Sequence, residues 1–143
     1  MEFPDSCIRG ILKANFVVKD LYRIYAIAEL YQFRRTDRPD GMHEASINWG
    51  DDKKAIEFTF GQKNNDETLK YEGGIAILQR SELDKIKKRY GPMQFNYERA
   101  CIQDDNKYHG NLLLNSTEMS PTIKGMIRAV LAHHSEIKCR NSI

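Results

Sequence analysis

The sequence predicts an α+β fold, in which a mainly antiparallel sheet carries one short helix and a long amphipathic C-terminal helix packed on it. Two segments of alternating apolar and polar residues around a Gly-Asp turn predict paired antiparallel strands. A later segment with helical spacing follows a serine and a proline, which is typical of a helix start. The order strands, short helix, strands, long helix differs from the regular βαβ alternation of parallel sheets.

Length and charge limit the class of protein. The 143 residues suit one domain spanning 1–143, and 41% hydrophobic with 29% charged residues is an ordinary globular mixture. The 22 basic residues nearly balance the 20 acidic residues, which gives a formal net charge of +2. Such a balance does not favour nucleic-acid binding through bulk electrostatics.

Cysteine use and hydropathy predict the compartment. The three cysteines Cys7, Cys101 and Cys139 are an odd number at unrelated spacings, whereas small secreted domains carry even, dense sets. We therefore expect reduced thiols in a cytoplasmic protein. Residues 1–15 contain no long apolar run, and no segment approaches the roughly 20 apolar residues of a membrane span. We expect no signal peptide and no membrane partner.

The first third of the chain contains the most ambiguous segment. Residues 7–13 predict a short strand or an extended arm. In residues 21–33, Leu21, Tyr25 and Ala28 fit helical spacing, whereas Tyr22 and Ile24 begin a strand alternation. The β-branched and aromatic content favours a strand over residues 21–34, and a helix is the alternative. Residues 36–41 predict a turn.

The clearest pattern lies in the middle of the chain. Residues 45–49 alternate up to Trp49, a Gly-Asp-Asp-Lys turn follows, and residues 56–60 alternate again. We expect a β-hairpin with one apolar face. Residues 69–78 predict a third strand, with a bulge or a close backbone approach at Gly73 and Gly74.

The second half predicts two helices separated by two strands. A short helix is expected to begin with Ser81 as its N-cap and to end at Gly91. Residues 95–100 and 108–115 predict strands joined by a polar loop at 103–107. The last helix is expected to begin at Ser120 and Pro121. Its apolar face is predicted to consist of Ile123, Ile127, Val130, Leu131, His134 and Ile137.

One loop carries the best candidate functional residues. His109 enters an apolar strand directly after the polar loop, and Arg99, Asn106 and Tyr108 lie close to it in sequence. This set predicts a ligand-binding site, because such side chains bind anions and transfer protons. The alternative is a structural role, in which His109 hydrogen-bonds a loop carbonyl and stabilises the turn.

Basic side chains form a second candidate site. Arg34 and Arg35 lie in one loop, and Lys87 and Lys88 lie on the short helix, so both pairs are candidate anion-binding groups. Acidic residues lie next to both pairs in sequence. They favour the alternative, in which these basic side chains belong to an ordinary solvent-exposed surface.

Known catalytic and metal-binding motifs are absent from the sequence. It contains no nucleophile elbow, Walker loop, dinucleotide fingerprint or HExxH motif. His133, His134 and Cys139 lack the spacing of a helical metal site. We therefore expect no metal and no cofactor, and we assign no catalytic residue.

A resemblance spans most of the chain. It rests on residues 7–11, 45–49, 74–76 and 105–112. These segments resemble a set of small bacterial single-domain proteins with no assigned activity, in which the last segment has the form Asp-Asn-Pro-x-His-Ala-x-Leu/Ile. Here Lys107 replaces the proline and Gly110 the alanine. The resemblance implies a bacterial domain and draws attention to Asn106 and His109, and it implies no reaction.

Three hypotheses of function follow from these observations. The first is a non-enzymatic binding or accessory module that acts through protein–protein contacts, as a homodimer or beside a larger partner. The second is a small hydrolase or nuclease-like enzyme that uses His109, with Arg99 holding an anion. The third is nucleic-acid binding through residues 34–38 and 85–89, with an affinity that falls steeply with salt.

Overall fold

A computed structural model describes residues 3–139 of the chain. Its helices and strands are, in chain order, β1 (Ser6–Ile11), β2 (Val17–Lys19), β3 (Ile24–Ala26), β4 (His43–Trp49), α1 (Lys53–Gly61), β5 (Gly74–Gln79), α2 (Arg80–Tyr90), β6 (Phe95–Arg99), β7 (His109–Leu114), α3 (Pro121–His133) and β8 (Glu136–Lys138). Six strands form an antiparallel sheet in the order β6-β7-β4-β1-β5-β8, and β2 and β3 form a separate hairpin. The predicted α+β class with a mainly antiparallel sheet is confirmed.

The two faces of the sheet are covered differently. Because side chains alternate between faces along a strand, Cys7 and Trp49 face the main core, which α2 and α3 cover. Ile8, on the other face, packs with α1 in a smaller core. Over β4 and β7 this second face carries polar side chains instead, including Asn48 and His109. The candidate residue His109 therefore lies on the face of the sheet opposite the main core.

Residues 53–61 correct the hairpin prediction, because they form helix α1 and not a strand. Asp52 caps this helix, since its carboxylate accepts a 2.8 Å hydrogen bond from the Ala55 amide. Ala55, Ile56 and Thr59 are buried at helical spacing. Strand β4 is confirmed. Its two neighbours in the sheet are β1 and β7, so residues 56–60 do not pair with it as the second strand of a hairpin.

Neither pattern predicted for residues 21–33 is correct over its full length. The segment contains only the three-residue strand β3 and a 3-10 helix at Ala28–Leu30. Asp20 shapes a tight turn first, because its carboxylate accepts hydrogen bonds from the amides of Tyr22 and Arg23. Leu30 then enters the main core, which ends the extended pairing.

The strand predicted at residues 69–78 is confirmed only in its second part, as β5. The predicted close approach at the paired glycines is confirmed, since a β-carbon on Gly73 would lie 2.4 Å from Cγ2 of Ile11. The strands predicted at residues 95–100 and 108–115 are confirmed as β6 and β7, and the one predicted from residue 7 is confirmed as β1, which ends at Ile11.

The short helix is confirmed as α2, but its start differs from the prediction. It begins at Arg80 with Gln79 as the N-cap residue, and Ser81 lies inside the first turn. Strand β5 runs directly into the helix, so no position is left for a capping serine. The predicted end is confirmed at Gly91, which has a φ of +89°.

The C-terminal helix α3 begins as predicted and ends early. Ser120 Oγ accepts a 3.2 Å hydrogen bond from the Ile123 amide. The helix has 13 residues, and residues 136–138 pair with β5 as the edge strand β8, so the predicted long helix is confirmed only in part. His134, predicted on the apolar face, is an exposed cap residue whose Nε2 lies 3.4 Å from Glu82.

Two findings bear on membranes and thiol chemistry. Within residues 3–139, no helix is both long and apolar enough to cross a membrane. The three cysteines are unpaired. Cys7 is fully buried, and burial raises the pKa of its thiol to about 12, whereas Cys101 is exposed.

Candidate functional site

A polar groove crosses the open face of the sheet at His109. This residue lies opposite Asn48 in the register of β7 and β4, and Ser46 lies opposite Asn111 one pair further along the same face. A cavity of about 180 Å³ opens there. A second cavity, of about 220 Å³, adjoins it, since Gly10, Ser46, Lys70 and Tyr71 line both. The two cavities together are termed the His109 groove.

The floor of the groove depends on a glycine in β1. A β-carbon on Gly10 would lie 2.3 Å from carbon atoms of the Tyr71 ring, so the ring can lie directly against the strand only because Gly10 has none. Beside it, Arg9 donates hydrogen bonds to the carbonyl oxygens of Ser46 (2.7 Å) and Leu30 (3.2 Å). These contacts fill the gap where β1 and β4 diverge.

A buried amide network holds the loop that precedes His109. The Asn106 amide donates a 2.8 Å hydrogen bond to Oδ1 of Asn48, and Oδ1 of Asn106 accepts from the Tyr108 backbone amide at 2.9 Å. Asn48 in turn donates to Thr59 (2.9 Å) and Gln62 (3.0 Å) at the end of α1. The loop, β4 and α1 are thereby joined into one wall of the groove.

Three carboxylates beside His109 share one arginine. Arg38 Nη1 donates to the carboxylates of Glu98 (2.7 Å) and Glu44 (2.9 Å), and its other nitrogens bind Asp40. The Asn111 amide also donates to Glu98, at 2.8 Å. These bonds raise the pKa of Arg38 and lower that of Asp40. In the part of the chain that the structure describes, no group of three or more acidic, histidine or cysteine side chains is arranged to hold a metal ion.

The imidazole of His109 is available to hydrogen-bond a ligand in the groove. The residue is half-buried, and its imidazole makes no hydrogen bond to any residue between 3 and 139. Burial is the main reason that its pKa lies below the usual value, with Glu44 and Glu98 acting in the opposite direction. A neutral imidazole, with one donor and one acceptor nitrogen, therefore faces the cavity near pH 7.

An apolar pocket of about 740 Å³ adjoins the groove. Phe58 of α1 and Tyr108 line it with their ring centroids 5.3 Å apart, and Cys101 lines it from the same loop as Tyr108. Ile102 and Asp105 line both this pocket and the groove, so the two spaces are continuous. The site thus has one polar and one apolar compartment.

The predicted site residues separate into three positions. Asn106 and His109 line the groove together, and Tyr108 lines the apolar pocket. Arg99 does not point into the groove, because it pairs with Gly110 and so lies on the opposite face from His109. Its Nη2 lies 4.0 Å from Cys101 Sγ.

The predicted anion-binding residues lie on separate surfaces. Arg34 lines the second cavity of the groove, and Arg35 is exposed beside it. Lys87 lies on α2 with its Nζ 5.1 Å from the centroid of the Tyr97 ring, and Lys88 is exposed on the same helix. Helix α2 packs on the main-core face, away from the groove.

Several groove residues were not predicted as site residues. Ser46 and Asn48 occupy the polar positions of the predicted strand at 45–49 and Glu44 directly precedes it, so alternation alone places the three on one face. No pattern in the residues near this strand in sequence indicates that β7 lies beside it. The register that places Asn48 opposite His109 joins residues 61 positions apart.

Comparison with known proteins adds no family. No family model, no curated protein and no solved structure matches the chain. The resemblance to small bacterial proteins therefore stays a prediction, and the chemistry of the site rests on the contacts given above.

Proposed function

We propose that this domain is a binding module for a small amphipathic ligand, with its polar end in the His109 groove and its apolar end in the apolar pocket. The continuity of the two spaces through Ile102 and Asp105 carries this proposal. Small-molecule sites are typically cavities of roughly 300–1,000 Å³ lined by apolar groups with a few convergent polar ones. The apolar pocket, at about 740 Å³, falls in that range.

The charges of the groove favour an anionic polar end. Among residues 3–139, the Lys70 ammonium group forms no ion pair and lies 5.6 Å from the Tyr71 ring centroid. The nearby carboxylates of Glu44 and Glu98 are already bound to Arg38. Lys70 is thus a cation available to a ligand carboxylate, Arg34 of the second cavity is another, and His109 offers a hydrogen bond beside Lys70.

The positions of the charges also give the ligand an orientation. Lys70 is shared by the two cavities of the groove, whereas the apolar pocket is lined by three carboxylates, those of Glu57, Asp104 and Asp105, and by two cations, Lys54 and Lys107. The net negative charge of this pocket repels an anionic group, whereas Lys70 attracts it. The apolar end of the ligand therefore extends past Ile102 toward Phe58 and Tyr108.

Titration calorimetry with decanoate tests the proposal, with acetate as the head-group control. We expect one saturable site for decanoate and none for acetate. Lys70→Met and Ile102→Asp should each weaken binding by roughly tenfold or more, since one removes a charge-assisted bond and the other polarises the pocket. Lys63→Met, at an exposed lysine elsewhere, should bind as the unchanged protein does. Absence of saturable heat, or equal affinity in all variants, refutes the proposal.

A second candidate is an acid–base enzyme, which the ionisation state of His109 favours. Its lowered pKa keeps the imidazole neutral and able to accept a proton from a hydroxyl group or a water. Ser46 lies on the same face, diagonally across the strand pair, at a Cα separation of roughly 7–8 Å. The site thus contains a base and a hydroxyl group, as simple ester hydrolysis requires.

Hydrolysis of p-nitrophenyl acetate tests this second candidate. Replacing His109 by Gln should lower the rate by about 100-fold, the usual contribution of a positioned general base. Replacing the exposed His133 by Gln should leave the rate unchanged. A His109→Gln variant as active as the unchanged protein excludes the enzyme hypothesis.

Nucleic-acid binding stays a prediction, because the positions of the basic residues add no support for it. A polyanion that touched both Arg34 and Lys87 would have to pass from the groove face to the α2 side of the sheet. Filter binding of single-stranded RNA at low salt addresses it directly, and no retention there excludes it.

A further inference from the structure

We propose that a cavity between α3 and the paired ends of β4 and β7 is a second binding site, which takes a small phosphomonoester. The cavity has a volume of about 790 Å³, within the roughly 300–1,000 Å³ that is typical of small-molecule sites. It is termed the α3 cavity, and its lining includes Phe33, Ser116, Thr117, Lys124, Gly125 and Arg128.

The α3 cavity is separate from the His109 groove. His43 and Leu114 are paired in the register of β4 and β7, and both line this cavity. Leu114 belongs to the main core, so the pair lies on the face of the sheet opposite His109. Among the residues that the structure describes, Gln32 alone lines both spaces. The two sites can therefore be tested separately.

One face of α3 supplies two cations. Lys124 and Arg128 lie four residues apart, with Pro121 and Gly125 beside them at helical spacing, and all four line the cavity. Neither cation forms an ion pair with a residue between 3 and 139. Arg128 Nε donates a 2.9 Å hydrogen bond to the Tyr31 carbonyl oxygen. This bond holds the guanidinium in place and leaves its two Nη groups for a ligand.

The cavity contains no carboxylate that would offset these charges. Within the described range 3–139, no aspartate or glutamate lines it. Glu118 is near in sequence, and its carboxylate accepts a 3.2 Å hydrogen bond from the Asn115 side-chain amide. Lys124 and Arg128 therefore present two uncompensated positive charges to a ligand.

The segment between β7 and α3 adds hydroxyl groups. Ser116 and Thr117 line the cavity, and the Ser116 hydroxyl makes no hydrogen bond within residues 3–139. The first turn of α3 adds few free amides, since Pro121 has no N–H and the Ile123 amide binds Ser120 Oγ. Side chains, and not the helix terminus, therefore form the site.

His43 adds a hydrogen-bonding group that the fold does not use. Its imidazole makes no hydrogen bond within the part of the chain that the structure describes, and its Nε2 is shielded from solvent. A buried nitrogen without a partner is uncommon in folded proteins. Because His43 lines the cavity, a phosphate bound there would place acceptor oxygens next to the ring.

These donors match a terminal phosphate better than other anions. A phosphomonoester carries about −1.5 to −2 charges at pH 7 and has three acceptor oxygens, so it balances both cations. A carboxylate or a phosphodiester carries a single charge and would leave one cation unpaired. The two Nη groups of Arg128 also suit the paired oxygens of a phosphate.

The rest of the ligand has an apolar contact and open space. Phe33 lines the same cavity and is half-buried against the main core. A β-carbon added at Gly125 would meet no atom within 4 Å, so the space above this residue is open. An aromatic group esterified to the phosphate can therefore pack against Phe33.

Titration with phenyl phosphate, followed by the amide NMR spectrum of the full chain, tests the proposal. We expect saturable shifts centred on residues 116–128. Methyl phenyl phosphate, a diester with the same ring and one charge, should bind roughly tenfold more weakly. Equal affinity for the diester, shifts centred on the His109 groove, or the absence of saturable shifts overturns the proposal.

Two variants then test charge and shape. Lys124→Met removes one cation and should weaken phenyl phosphate binding by about tenfold or more. Gly125→Leu fills the cavity and should weaken binding at least as much. Because leucine favours a helix more than glycine does, its unfolding temperature should not fall, so lost binding would not reflect unfolding. Lys63→Met, at an exposed lysine paired with Glu67, is the matched control and should bind normally. Normal binding by Lys124→Met or by Gly125→Leu overturns the assignment.

Discussion

Gly74 faces the backbone of the last strand so closely that a β-carbon on it would lie 2.4 Å from the carbonyl oxygen of Lys138. Gly74 also has a φ of +102°, which side-chain-bearing residues rarely adopt. Two independent constraints therefore require glycine at the start of β5, where β8 joins the sheet.

Replacing Gly74 by Ala should destabilise the fold strongly. The unfavourable φ and the contact with Lys138 together should cost about 2–4 kcal/mol of unfolding free energy. Urea unfolding followed by circular dichroism measures this change. Gly125→Ala on α3 is the matched control, because a β-carbon added there would meet no atom within 4 Å, and it should stabilise the protein by roughly 0.4–1 kcal/mol. A neutral Gly74→Ala variant contradicts the close approach of β8.

The cap of α1 gives a second prediction. Asp52→Ala removes the acceptor of the Ala55 amide and should cost roughly 0.5–2 kcal/mol of unfolding free energy. Asp51→Ala removes the same charge one residue earlier, outside the cap position, and should change stability by less than about 0.5 kcal/mol. Equal effects in the two variants would show that charge and not capping matters, and would count against a helix at residues 53–61.

The amide network behind the groove gives a third prediction. Asn106→Ala leaves Oδ1 of Asn48 buried without its donor and should cost about 1–3 kcal/mol. Hydrogen exchange should also accelerate at the Tyr108 amide, which loses its acceptor. Asn64→Ala, at an exposed asparagine bonded to Thr68, should cost less than about 0.5 kcal/mol. Unchanged exchange at Tyr108 would be inconsistent with the network.

The lowered pKa of His109 predicts how stability changes with pH. The folded state binds this proton less tightly than the unfolded state, whose histidines titrate near pH ~6.5. Stability from this group is therefore present above pH ~6.5 and is lost as the pH falls below it. Urea midpoints measured between about pH 5 and pH 8 should fall less steeply for His109→Gln than for the unchanged protein. Identical slopes for His109→Gln and the unchanged protein would falsify the assignment.

Local chemistry was sufficient for some elements of this fold. Ser120 followed by Pro121 predicts the start of α3, and Gly91 predicts the end of α2, because capping involves neighbouring residues only. Residues 56–60 show the limit of this reasoning. Their alternation fits a strand, and only the capping carboxylate of Asp52 and the strands beside β4 decide for a helix.

The candidate site required information that is not local. Sequence placed Asn106 and His109 together because they are close along the chain, and both line the groove. It also grouped Arg99 with them, although the alternation of β6 turns that side chain to the opposite face. Lys70 enters the groove from a distant turn, so no spacing rule could have found it.

The unequal burial of the thiols gives this chain a native reporter. Cys7, enclosed and protonated, should not react with alkylating reagents at neutral pH, because the thiolate is the reactive form. Cys101 lines the apolar pocket, with its Sγ 3.0 Å from the Lys107 carbonyl oxygen. A maleimide fluorophore would thus attach at the mouth of the pocket without any engineered cysteine. Occupancy of the pocket can be followed as protection of Cys101 from labelling, with the half-buried Cys139 as the internal reference.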